Sequence, residues 1–100
     1  MAGKRPAHVI AEVEITDPAA FQDYVAKAMP TLAGTGAQFL ARSKAKAKEG
    51  TAPVGDIVML RFDSLEEAER WYHGAAYSDA IRLRQRSANT RLFIIEGEPG

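Results

Sequence analysis

The order in which the hydrophobic period changes along this chain leaves few folds open to it. Residues 8–15, HVIAEVEI, alternate with period two and set Val9, Ala11, Val13 and Ile15 against His8, Ile10, Glu12 and Glu14. The spacing then becomes helical: Phe21, Tyr24, Val25, Ala28 and Leu32 recur behind Asp17 as N-cap and Pro18 at the first helical position. Pro30 is expected to end the regular helix early, and Gly34 and Gly36 to supply its exit. Two more strand-like stretches follow, AQFLARSKAKAKEG at 37–50 and DIVMLRFD at 56–63. Ser64 and Glu67 form a capping-box pattern before a second helix, SLEEAERWYHG, whose apolar face is Leu65, Ala68, Trp71 and Tyr72 and whose stop is Gly74. A further helix is predicted over 76–88, and RLFIIEG at 91–97 closes the chain as a strand.

Strand, helix, two strands, split helix and strand make a βαββαβ order. Crossover helices packed on one face of the sheet then predict an α+β, ferredoxin-like plait with a four-stranded antiparallel sheet. One hundred residues suffice for one core. The domain is read over 8–97, between short tails at 1–7 and 98–100.

The two faces of that sheet differ in an informative way. The core face is assigned Val9, Ala11, Val13, Ile15, Phe39, Ala41, Val58, Leu60, Phe62, Phe93 and Ile95. The opposite face receives His8, Ile10, Glu12, Glu14, Gln38, Leu40, Arg42, Ile57, Met59, Arg61, Leu92, Ile94 and Glu96. So many aliphatics are out of place on a solvated surface. The expected cover is a second copy of the chain. His8, Ile10, Glu12, Arg42, Met59, Arg61, Ile94 and Glu96 are the interface candidates, the charged ones pairing at the seam as registry devices.

Composition narrows the partners. Thirteen basic and thirteen acidic residues cancel, so no overall field favours nucleic acid or an anionic membrane. There is no cysteine, hence no disulfide, thiol nucleophile or thiolate metal site. The apolar run near the start is broken by Glu12 and Glu14, unlike a signal peptide, and no stretch is long enough for a membrane span. A cytoplasmic location is the default expectation.

Few residues invite chemistry. Glu69 and His73 stand four apart on a helix, but two ligands without a third define no metal site, and a surface pair accounts for them. His8 at a strand start reads as polar lining rather than as a general base. Lys44, Lys46 and Lys48 blunt an edge strand. No glycine-rich phosphate loop and no nucleophile elbow is present, and no cofactor is expected. Tyr24, Trp71, Tyr72 and Tyr77 fall on inner helical faces, where aromatics fill cores or line cavities. Arg84 is the sharper signal. Tyr77, Ala80, Ile81, Arg84 and Ala88 share one helical stripe, so its guanidinium is predicted to be buried, whereas Arg82 and Arg86 point outward. A buried guanidinium needs a carboxylate such as Glu96, neighbouring carbonyls or a bound anion.

ITDPAAFQDYV, GAQFLAR, VMLRFDSLEEAERWYHGAAYSDAIRLRQRSA and LFIIEG together resemble domain-of-unknown-function family 1330, of the dimeric α/β-barrel superfamily. The likeness spans 8–97, and its most telling positions are Trp71, Tyr72, Tyr77, Leu83, Arg84, Arg86, Ser87, Ala88, Glu96 and Gly97. The lysine-rich hairpin KAKAKEGTAPVG looks longer than the family pattern. The resemblance implies a dimeric α/β barrel formed by joined sheets, and no known reaction. The wider superfamily holds cofactor-independent monooxygenases, isomerases, haem enzymes and small stress proteins. Two functions follow. In one, a small organic, anionic ligand sits in a cavity lined by Tyr24, Trp71 and Tyr77 and is anchored by Arg84, with oxygenase- or isomerase-like chemistry if the site is catalytic. In the other, the protein is a non-catalytic dimeric module with a filled core and a structural Arg84.

Overall fold

The computed structural model describes residues 5–99. Strand β1 (Ala7–Ile15) leads into helix α1 (Pro18–Ala28), where Asp17 accepts a hydrogen bond from the Ala20 N–H at 3.1 Å. Pro30 sits in the 3₁₀ turn Met29–Leu32 that ends the regular helix, and Gly34 and Gly36 turn the chain at φ +77°. Strands β2 (Gln38–Lys44) and β3 (Asp56–Phe62) follow. Gly74, in extended conformation, separates helices α2 (Leu65–His73) and α3 (Ala75–Ser87). Strand β4 (Ala88–Glu96) starts without a loop, three residues before its predicted beginning.

The sheet is antiparallel in the order β2-β3-β1-β4. Its core is held by Val9, Phe62, Ala68, Trp71, Tyr77 and Ala80, with Phe62 and Ala80 fully enclosed. α1 packs beside α3, and every residue of edge strand β2 is exposed.

Register assigns the faces, because residues directly opposite in a sheet share one side. Val9 pairs with Leu60 and Ile94, and Ala11 with Val58 and Leu92, so these face the helices. His8 pairs with Arg61 and Ile95, and Ile10 with Met59 and Phe93, on the open face, where Glu12 also lies opposite Ile57 and Arg91. The expected faces of β4 are therefore reversed. Ile94 and Glu96 are on the helix side, and Phe93 and Ile95, half exposed, are on the open side. Leu92, Phe93, Ile94 and Ile95 are all apolar, so alternation cannot choose between them. The choice is made by the pairing of Ala88 with Ile15 as α3 runs straight into the strand, and a slip of one residue would exchange the faces.

Arg42 is the second correction. Phe39 pairs with Leu60, but a bulge at Leu40 makes Ala41 pair with Met59 and Arg42 with Val58. One extra residue turns Arg42 to the helix side and Ala41 to the open side. The open-face charges also find partners within the chain: Arg91 Nε donates to Glu12 Oε1 at 2.7 Å, and Arg61 Nη1 to Asp63 Oδ1 at 3.1 Å. The hydrogen bond from Arg91 holds the Glu12 carboxyl below its ordinary range.

Ser64 caps α2 by accepting from the Glu67 N–H at 3.2 Å, whereas the buried Glu67 Oε2 has no partner, so only half of the expected capping box forms. Ser64→Ala is expected to cost about 1 kcal/mol, read as a fall in melting temperature of roughly 4–8 °C.

Candidate functional site

Tyr77 and Arg84 stand two turns apart on α3 and so project from one buried stripe. Arg84 Nη1 donates to the Tyr77 hydroxyl at 3.0 Å. That hydroxyl lies 2.7 Å from the Tyr24 hydroxyl on α1, joining the two helices through a phenol pair. Trp71, on α2, stacks against Tyr77 with ring centroids 4.1 Å apart, and its indole N–H donates to Thr31 Oγ1 at 2.9 Å. Thr31 in turn donates to the Ala28 carbonyl, which fixes the indole against the end of α1. Phe62 and Tyr72 extend the aromatic cluster.

No described residue neutralises the charge of Arg84. Its side chain is 8% exposed, and its Nε is buried without a hydrogen-bond partner. Among the described residues no carboxylate pairs with it, and the expected Glu96 lies at the far end of β4. Burial opposes its charge and the Tyr77 and Tyr24 oxygens favour it; the balance moves its proton affinity upward. Burial, followed by the influence of Tyr77, raises the Tyr24 hydroxyl above the ordinary tyrosine range. Tyr24 therefore serves as a neutral hydrogen-bonding group. Tyr77 accepts from Arg84, and whichever hydroxyl donates across the phenol pair, the other O–H is left free as a further donor.

These groups form one end of a half-open cavity of about 330 Å³ between α1 and the helix-facing side of the sheet. Val9, Ala11, Val13, Val58, Leu60 and Leu92 line it from the sheet, and Phe21, Val25 and Leu32 from α1 and the turn after it. Tyr24, Trp71, Tyr77 and Arg84, the four candidates from sequence, all border it. The exposed Met29, Phe39 and Arg42 mark its mouth, beside the strand that no helix covers. Sequence reasoning missed Phe21, Phe39 and Arg42. Phe21 was readable as part of the α1 stripe, but the bulge that brings in Arg42 leaves no mark in the alternation. Among the described residues no His, Asp or Glu lines the cavity. His8, Ile10, Glu12, Met59 and Arg61 lie on the opposite face of the sheet, and Glu69 and His73 form an exposed pair at 3.1 Å. Among the described residues no three metal-capable side chains gather, and no helix is long and apolar enough to cross a membrane.

Sheet order, split helix and half-open cavity define an α+β, ferredoxin-like fold. The chain belongs to the DUF1330 family, a domain of unknown function, whose model matches residues 6–98. No curated protein matches it. A protein of unknown function from Rhodopseudomonas palustris is similar at a TM-score of 0.77 and 13% identity, over 99% of this chain and 87% of that one. The cofactor-independent oxygenase SnoaB from Streptomyces nogalater matches at a TM-score of 0.65 and 8% identity, over 96% of each chain. A dimeric ferredoxin-like protein of unknown function from Thermobifida fusca matches at 0.63 and 10% identity, over 96% and 94%. At these identities the likeness is one of fold.

Proposed function

We propose that this protein is a homodimer, joined through its open sheet face, that binds a small and largely apolar organic acid in the cavity between sheet and helices. The observation that carries the ligand reading is Arg84: a buried guanidinium with an unpartnered Nε and no carboxylate, at the end of an apolar cavity. An anionic oxygen there supplies the missing partner, and the free O–H of the Tyr24–Tyr77 pair offers it a second donor. The volume fits the small end of the roughly 300–1,000 Å³ range of ligand sites. A filled core with a structural Arg84 is the poorer reading, since the space is open and the charge unpaired. Ile10, Met59, Phe93 and Ile95 supply the apolar surface for the second copy, and the Thermobifida fusca protein is a dimeric relative by fold.

A second reading, catalysis without a cofactor, is favoured by the fold shared with SnoaB. With no carboxylate or imidazole among the described residues that line the cavity, the ligand has to arrive ionised, and Arg84 stabilises the anion. Dioxygen would then take four electrons from one ligand methylene, leaving one oxygen atom on carbon as a carbonyl and releasing the other with the two hydrogens as water.

The test is a thermal-shift screen of acids against matched neutral compounds: benzoate against benzamide, decanoate against decanol, anilinonaphthalenesulfonate against N-phenylnaphthylamine. Acids are expected to raise the melting temperature in proportion to the logarithm of their concentration, and their neutral counterparts to do so far less. Equal shifts within each pair, or none, would overturn the proposal. For the second reading, oxygen uptake with a bound phenolic or enolic acid is the readout.

A further inference from the structure

The cavity has a cation at each end, and its second one, Arg42, has no place in the reading above, on which this inference rests. Arg42 borders the cavity at its exposed mouth, whereas Arg84 closes its buried end. Arg42 reaches that side of the sheet only through the bulge at Leu40; regular alternation would have put it on the open face. Bulges are a recognised means of re-aiming one side chain beside a site. Its guanidinium lies over the Phe21 ring, 5.5 Å from the centroid, so it is held against the cavity wall. Its acidic neighbour Asp56 approaches Nε at 3.5 Å, too long for a good hydrogen bond and leaving the rest of the fork available. Between the two cations the lining is aliphatic and aromatic and holds no acidic side chain.

We propose that Arg42 is a second anion anchor and that the ligand class is therefore a two-ended acid. An apolar body spans the cavity, one acidic oxygen group meets Arg84 inside, and a second meets Arg42 at the mouth. A simple monoacid satisfies only the inner site. A second acidic group raises affinity only if a cation receives it, because an unpaired carboxylate at an apolar mouth loses hydration without return.

The experiment compares decanoate with decanedioate, and benzoate with terephthalate, by calorimetry at neutral pH on the wild-type protein and on Arg42→Gln and Asp56→Asn. In at least one pair the wild type is expected to bind the diacid about tenfold tighter, the scale of one charge-assisted contact. Arg42→Gln is expected to erase or invert that preference by lowering the diacid's affinity about tenfold more than the monoacid's. Asp56→Asn, which removes the competing carboxylate, is expected to enlarge the preference, and it tests the idea even if Arg42→Gln does not fold. Equal binding of acid and diacid in every pair, or an equal loss of both in Arg42→Gln, overturns the second anchor. If monoacid binding still depends on Arg84, that failure leaves the single-anchor function standing. If no acid binds at all, both readings fall.

Discussion

Replacing Arg84 by methionine is expected to leave the melting temperature unchanged or higher while lowering the affinity for an organic acid by about 10- to 150-fold. The binding loss follows from removing a hydrogen bond to a charged group in a dry site, worth roughly 1.5–3 kcal/mol. The stability result follows from the isolation of the guanidinium. An arginine balanced by a buried carboxylate leaves an uncompensated charge when removed, and the fold suffers. Here no described carboxylate is left behind, Tyr77 keeps its contact with Tyr24, and a methionine of similar length fills the space without desolvating a charge. Calorimetric melting and acid titration of the same variant separate the two effects. A fall of several degrees with unchanged acid affinity would mark Arg84 as structural.

Phe93→Asp and Ile94→Asp are expected to fail in opposite ways, although the residues are adjacent and both apolar. Ile94 packs against the core beneath the helices, so a carboxylate there enters an apolar interior without a partner and should unfold a domain of ordinary stability. Phe93 lies on the open face, half exposed in the single chain, so Phe93→Asp should leave the subunit folded, with a native circular-dichroism spectrum. In the proposed dimer it places like charges near the two-fold seam, and light scattering at micromolar concentration should report a monomer. A dimeric Phe93→Asp protein would locate the association elsewhere, and a well-folded Ile94→Asp protein would contradict the register of β4.

That pair of neighbours shows how far local pattern reaches. β1 was legible because one of its faces, Val9, Ala11, Val13 and Ile15, is wholly apolar while the other carries His8, Glu12 and Glu14, and α1 because Asp17, Pro18 and Pro30 mark its ends chemically. The split at Gly74 and the buried stripe through Tyr77 and Arg84 were likewise readable, since helical spacing alone puts those residues on one side. The aromatic and arginine end of the cavity was thus visible residue by residue. Its mouth was not. The faces of β4 are set by pairing with a strand more than seventy positions away, and the side of Arg42 by a single inserted residue that composition does not reveal.

Taken alone, the sequence determined the order of elements, the antiparallel plait and the burial of one guanidinium, because period, capping and spacing are properties of neighbouring residues. Only the tertiary structure decided that Arg84 meets phenols rather than Glu96, that β2 lies uncovered at the cavity mouth, and which side of the sheet Arg42, Phe93 and Ile94 occupy. Those outcomes depend on register and on the distance between α1 and α3, which are set when remote segments pack together.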